Sequence, residues 1–92
     1  MPEPRFNLGS TFATPGALQA MNRTGDDVTS FLVRHLRGDW GDLEEHDRRE
    51  NEYSLTHDLR LLSAYHLKDG TKVWVITEAD RSATIVLLPS EY

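Results

Sequence analysis

Ninety-two residues make one modest domain, and 38% hydrophobic with 27% charged residues is a globular rather than a disordered composition. The absence of cysteine excludes a disulfide framework, a thiolate metal site and a thiol nucleophile. A formal charge of −5 argues against nucleic-acid binding, which needs clustered Lys and Arg, and no apolar run approaches the roughly 18 residues of a membrane span.

The opening Met1-Pro2-Glu3-Pro4-Arg5 lacks the basic-then-apolar profile of a secretory signal, so a cytoplasmic location is expected. Phe6, Leu8, Ser10 and Phe12 alternate with Asn7, Gly9, Thr11 and Ala13, which predicts a half-buried strand from Arg5 to Ala13. Thr14-Pro15-Gly16 reads as a helix cap with proline at the first helical position. A short helix follows, with Ala17, Leu18 and Met21 inward and Gly25 as its stop. A second helix starts at Asp26 or Asp27, and its stripe is Val28, Phe31, Leu32, His35 and Leu36. Gly38 to Asp42 is a loop, and Asp42 with Glu45 resembles a capping box for a third helix that lies largely on the surface.

The last third reads as an antiparallel meander. Asp69-Gly70 predicts a two-residue hairpin turn that sets Tyr65 opposite Trp74, Ser63 opposite Ile76 and Leu61 opposite Glu78. A four-residue turn at Ala79-Asp80-Arg81-Ser82 sets Ile76 opposite Ile85, Trp74 opposite Leu87 and Val75 opposite Val86. Both faces are then apolar. The face with Tyr65, Trp74, Ile76, Ile85 and Leu87 is expected under the helices. The face with Leu62, Ala64, Val73, Val75, Val86 and Leu88 needs another cover: the N-terminal strand with a helix, or a second copy or protein partner. The fold class is α+β: an N-terminal strand, two to three short helices and a C-terminal antiparallel three-stranded meander, in one domain over 1–92. Met1 to Pro4 and Ser90 to Tyr92 are expected to fray.

Four histidines, His35, His46, His57 and His66, lack the spacing of a metal site, and neither a metal nor a cofactor is expected. His35, on the apolar stripe, reads as a hydrogen-bonded core histidine. The run from His35 to Asp42 gathers an imidazole, a guanidinium, carboxylates and an indole. Asp39 can serve the turn, Asp42 a helix cap and Trp40 the core edge; alternatively Trp40, Arg37 and Asp39 form a recognition loop. Asp80 and Arg81 in the last turn are the other polar concentration, an ordinary ion-paired turn or an extension of that loop. A hydrolase or nuclease would need His35, Asp39 and Asp80 to converge in a cleft. The preferred reading is noncatalytic binding or self-association through Val73, Val75 and Val86 and the Trp40 loop.

Several segments, among them Ala13-Thr14-Pro15-Gly16-Ala17-Leu18, Gly38-Asp39-Trp40-Gly41-Asp42-Leu43 and Trp74-Val75-Ile76-Thr77-Glu78-Ala79-Asp80-Arg81-Ser82, carry a resemblance. The chain resembles a family of small bacterial proteins of plasmids and other mobile elements, labelled plasmid-related or as a type I restriction enzyme subunit. A methyltransferase subunit needs a Gly-rich cofactor loop that this sequence lacks. The resemblance therefore implies a setting, an accessory protein of mobile DNA, and no catalytic residues.

Overall fold

The computed structural model describes residues 3–92, so the expectation for Met1 and Pro2 lies outside the described residues. The elements are β1 (Ser10–Ala13), α1 (Pro15–Thr24), α2 (Val28–Leu36), α3 (Glu45–His57), β2 (Leu61–His66), β3 (Lys72–Thr77) and β4 (Ala83–Leu87), closed by a 3-10 turn, Pro89–Glu91. The α+β class holds, and the sheet is mixed: its order is β1-β4-β3-β2, with β1 parallel to β4 and the other pairs antiparallel.

The helix ends follow local chemistry. Thr14 is extended and its hydroxyl accepts from the Ala17 N–H, Pro15 occupies the first turn, and Gly25 ends α1 at φ 76, a left-handed conformation that glycine adopts without a Cβ clash. Leu18, expected inward, is 49% exposed. The inward stripe is Ala17, Ala20 and Met21, whose two alanines let α1 lie close on the sheet. Asp27 caps α2 by accepting from the Thr29 N–H, and Phe31 and His35 are its buried residues. Asp42 does not cap α3. Its N–H pairs with the Ala64 carbonyl of β2 at 2.7 Å, so the helix starts later, at Glu45, without a side-chain cap.

The first strand is shorter than the alternation suggested. Gly9, at φ 67, packs so tightly on Ser82 that a Cβ would lie 2.4 Å from its backbone, and this bend separates β1 from the preceding strap. Phe6, in that strap, turns inward against the His35 and Trp40 rings, with centroids 5.2 and 6.4 Å apart.

The hairpin turn corrects the expected register. Leu67 donates to the Thr71 carbonyl and Gly70 to the Leu67 carbonyl, leaving three residues, Lys68 to Gly70, in the loop. Gly70 is left-handed at φ 89 and Asp69 is not, as in a type I turn followed by a glycine bulge. Tyr65 therefore faces Val73, Ser63 faces Val75 and Leu61 faces Thr77. A one-residue shift sends each β2 side chain to the other face. The β3–β4 register is as expected, with Ile76 opposite Ile85 and Val75 opposite Val86.

The helices cover the valine face and not the face of Trp74 and Ile85. Val73, Val75 and Val86, for which either a helix with the N-terminal strand or a partner was the expected cover, are each 0% exposed and form the core with Ala17, Ala20, Met21, Phe31, Tyr65 and Leu67, so a helix covers them and they offer no binding surface. Compact valines under an alanine-lined helix permit the close approach that bulky Trp74 and Ile85 would hinder.

Candidate functional site

His35 sits at the centre of a buried polar chain. Its Nδ1 meets Ser63 Oγ at 2.5 Å and its Nε2 meets Thr77 Oγ1 at 2.9 Å; Thr77 Oγ1 meets Thr84 Oγ1 at 2.7 Å, and Thr84 donates to the Leu8 carbonyl. Desolvation, reinforced by the positive charge of Arg81, lowers the imidazole pKa to about 3, so the ring is neutral and ties α2 to the sheet. It is the hydrogen-bonded core histidine expected from its stripe.

Asp39 accepts from Arg34 Nε at 2.7 Å, and that hydrogen bond holds its carboxyl below the usual range. Its carbonyl accepts from the Tyr65 hydroxyl, whose pKa is pushed up to about 12 by burial. Asp80 accepts from the Ser82 N–H in the β3–β4 turn. Tyr65 and the Leu61 end of β2, where the Arg81 guanidinium reaches the Leu59 carbonyl, lie about 13 Å apart along the strand at ~3.3 Å per residue. Asp80 thus has partners of its own, whereas His35 is linked through Ser63 and Tyr65 to the Asp39 carbonyl, with the Asp39 carboxylate itself committed to Arg34.

The expected recognition loop is mostly interior. Trp40 is 3% exposed and donates from Nε1 to Glu52 at 2.9 Å, while Glu52 also holds Arg5. Arg37 ends α2 with its N–H on the Val33 carbonyl. The Arg81 guanidinium lies over the Phe6 ring and donates to the carbonyls of Ser54, Leu59, Glu78 and Ala79, stitching the last turn to the end of α3. These contacts are structural. A polar basin near Asp39 is also internally paired: Arg34 with Asp39, His66 with Asp42 at 3.6 Å, and Arg48 with the Gly41 and Leu43 carbonyls. Among the described residues no group of three or more His, Asp or Glu side chains is placed to hold a metal ion.

The open surface is the other side of the sheet. Strand pairing places Leu62, Trp74, Ile76, Ile85, Leu87 and Phe12 there, opposite the valine core. Phe12 is 56% exposed, Leu62, Trp74 and Ile85 are half-buried, and Ile76 and Leu87 are buried. Partial cover comes from Tyr92, which meets the Trp74 ring edge-on at 5.7 Å and accepts a hydrogen bond from Arg60. Residues expected to fray are therefore docked, around a groove of about 280 Å³ whose floor is Leu62, Trp74 and Ile76.

The two sheet edges are treated differently. Along β2, the Leu62 N–H and carbonyl pair with the Asn51 amide, and the Ala64 N–H and carbonyl pair with Trp40 and Asp42 of the loop. Gly41, at φ 77, makes this approach possible, since a Cβ would lie 2.0 Å from the Ala64 carbonyl oxygen. Along β1 the first three of four residues are exposed and no element lies beyond it in the sheet. Sequence reasoning missed both features. The alternation through Leu62, Trp74, Ile85 and Phe12 was the available signal for the face, once the register is known. No family model, curated protein or solved structure matches the chain.

Proposed function

We propose that the chain is a noncatalytic protein-binding module that self-associates through the uncovered side of its sheet, serving in the cytoplasm as an accessory protein of mobile DNA. The observation that carries the binding reading is the one-sided cover: α1 and α2 pack on the valine face, whereas on the other face Phe12 is 56% exposed and Leu62, Trp74 and Ile85 are half-buried. Four strands at ~4.8 Å spacing and five residues at ~3.3 Å make that face about 300 Å² with its buried Ile76 and Leu87 included, an ordinary patch for a monomer and below the ~800 Å² per partner of a stable complex. Association is accordingly weak and concentration-dependent. The mobile-element setting is supported by the resemblance of the sequence segments alone. No observation favours the hydrolytic alternative, because His35, Asp39 and Asp80 have separate partners.

Light scattering on the wild type and on Phe12→Asp tests the reading. The wild type should weigh more than one chain through the micromolar range, and the variant, folded, should weigh one chain. A wild type that stays a single chain contradicts it.

A further inference from the structure

We propose that two copies join edge to edge along β1, antiparallel about a two-fold axis between their Phe12 residues, so that two four-stranded sheets continue into one. This rests on the self-association reading and moves its seam from the sheet face to the β1 edge, with Phe12 common to both.

Hydrogen-bond parity fixes which groups are available. Ser10 donates to the Ser82 carbonyl and Thr14 to the Val86 carbonyl. In a parallel ladder, alternate residues turn both backbone groups to the same neighbour, so Ser10, Phe12 and Thr14 face β4 while Thr11 and Ala13 face outward. Among the described residues no group of the chain pairs with the N–H or carbonyl of Thr11 or Ala13. On β2 the equivalent outward groups of Leu62 and Ala64 are all paired, so the fold closes one edge and leaves the other open. The open edge is blunted only by its shortness, four residues, since Ser10-Thr11-Phe12-Ala13 has no charge, proline or glycine.

One register uses all of these groups. Thr11 opposite Ala13 of a second copy, and Ala13 opposite its Thr11, are hydrogen-bonded pairs in which each residue exchanges both bonds. Phe12 then faces Phe12 across the narrow, non-bonded pair, where side chains approach most closely. Phe12 shares its side with Ile85, so the two rings meet on the open face and each covers part of the other. Pairing stops at Thr14, whose N–H is committed to β4 and whose hydroxyl caps α1. Association by this route adds backbone hydrogen bonds to a face too small to hold two copies by apolar contact alone, and it merges two open faces into a continuous one.

Amide hydrogen exchange read by NMR, on wild-type protein at concentrations below and above the dimer midpoint measured by sedimentation, tests the pairing. The Thr11 and Ala13 amides should exchange freely in the dilute sample and slow about tenfold or more in the concentrated one, tracking the dimer fraction. Thr11→Pro removes an N–H that faces solvent in the single copy, so its circular dichroism should be native while its dimer dissociation constant rises about tenfold or more. A dimer whose Thr11 and Ala13 amides stay freely exchanging, or that persists unweakened in Thr11→Pro, overturns the edge pairing and leaves self-association standing. A single-chain mass at every concentration overturns both.

Discussion

Lowering the pH should destabilise this protein through His35 before any carboxylate titrates. The folded ring is 0% exposed and held neutral between Ser63 and Thr77, with a pKa of about 3, whereas in the unfolded chain it has the ordinary value of 6.5. As pH falls through 6.5 the unfolded state takes up a proton that the folded state does not, so stability falls with pH, and this loss levels off below about 3. At ~1.4 kcal/mol per unit in the linear region, the change from about pH 7 to about pH 5 costs about 2 kcal/mol. The shifted carboxylates add little in this interval: Asp39 and Glu52 are lowered by hydrogen bonds from Arg34 and Arg5, so their contributions fade only as pH falls below their unfolded values of 3.8 and 4.5. Urea unfolding at a series of pH values, on wild type and His35→Gln at one protein concentration, isolates the effect. His35→Gln should be less stable at neutral pH, with a pH dependence flatter by about 2 kcal/mol over that interval. Parallel pH profiles for the two proteins would refute the buried, neutral ring.

Two charge insertions test the covered and open faces: Val75→Glu, in a fully buried site, should cost more than about 4 kcal/mol and unfold the domain, whereas Ile85→Glu, half-buried on the open face, should leave it folded by circular dichroism. Equal tolerance would contradict the assignment of the covered and open faces. Gly41→Ala and Gly70→Ala share a positive φ and differ in space: a Cβ at Gly41 meets the Ala64 carbonyl at 2.0 Å, and one at Gly70 meets nothing within 4 Å. Denaturation should show a loss of about 1 kcal/mol for Gly70→Ala and of about 3 kcal/mol or more for Gly41→Ala. Asn51→Ala strips both partners from Leu62 and should cost about 1 to 3 kcal/mol. It should also speed aggregation measured by turbidity, because the β2 edge loses part of its cover.

What was legible in the sequence is what local chemistry decides. The Thr14-Pro15 start and Gly25 stop of α1, the Asp27 cap and stripe of α2, and the four-residue turn that registers β3 on β4 are each written in a few adjacent residues. The β2 register was not. Lys68-Asp69-Gly70 fits a two-residue turn with Asp69 left-handed or a three-residue loop with Gly70 alone left-handed, and the Leu67–Thr71 bond selects the second. That single residue decides which β2 side chains lie under the helices. Of the candidate site, His35 was readable as a core residue from its stripe. Trp40 was readable as a plug at the core edge but its partner was not, because the carboxylate that receives its indole N–H is Glu52, a full helix turn and more into a polar helix with no local mark of burial. Asn51 is the same case: one polar residue in an exposed helix closes a sheet edge, and only the tertiary approach of α3 to β2 reveals it. The docking of Tyr92 likewise depends on Arg60 and Trp74, far away in the chain.

Self-association through the uncovered side of the sheet is tested most directly by sedimentation equilibrium of the wild-type protein through the micromolar range. The expected result is an average mass that climbs with concentration from that of one 10.5 kDa chain toward that of two. A mass fixed at one chain throughout would contradict it.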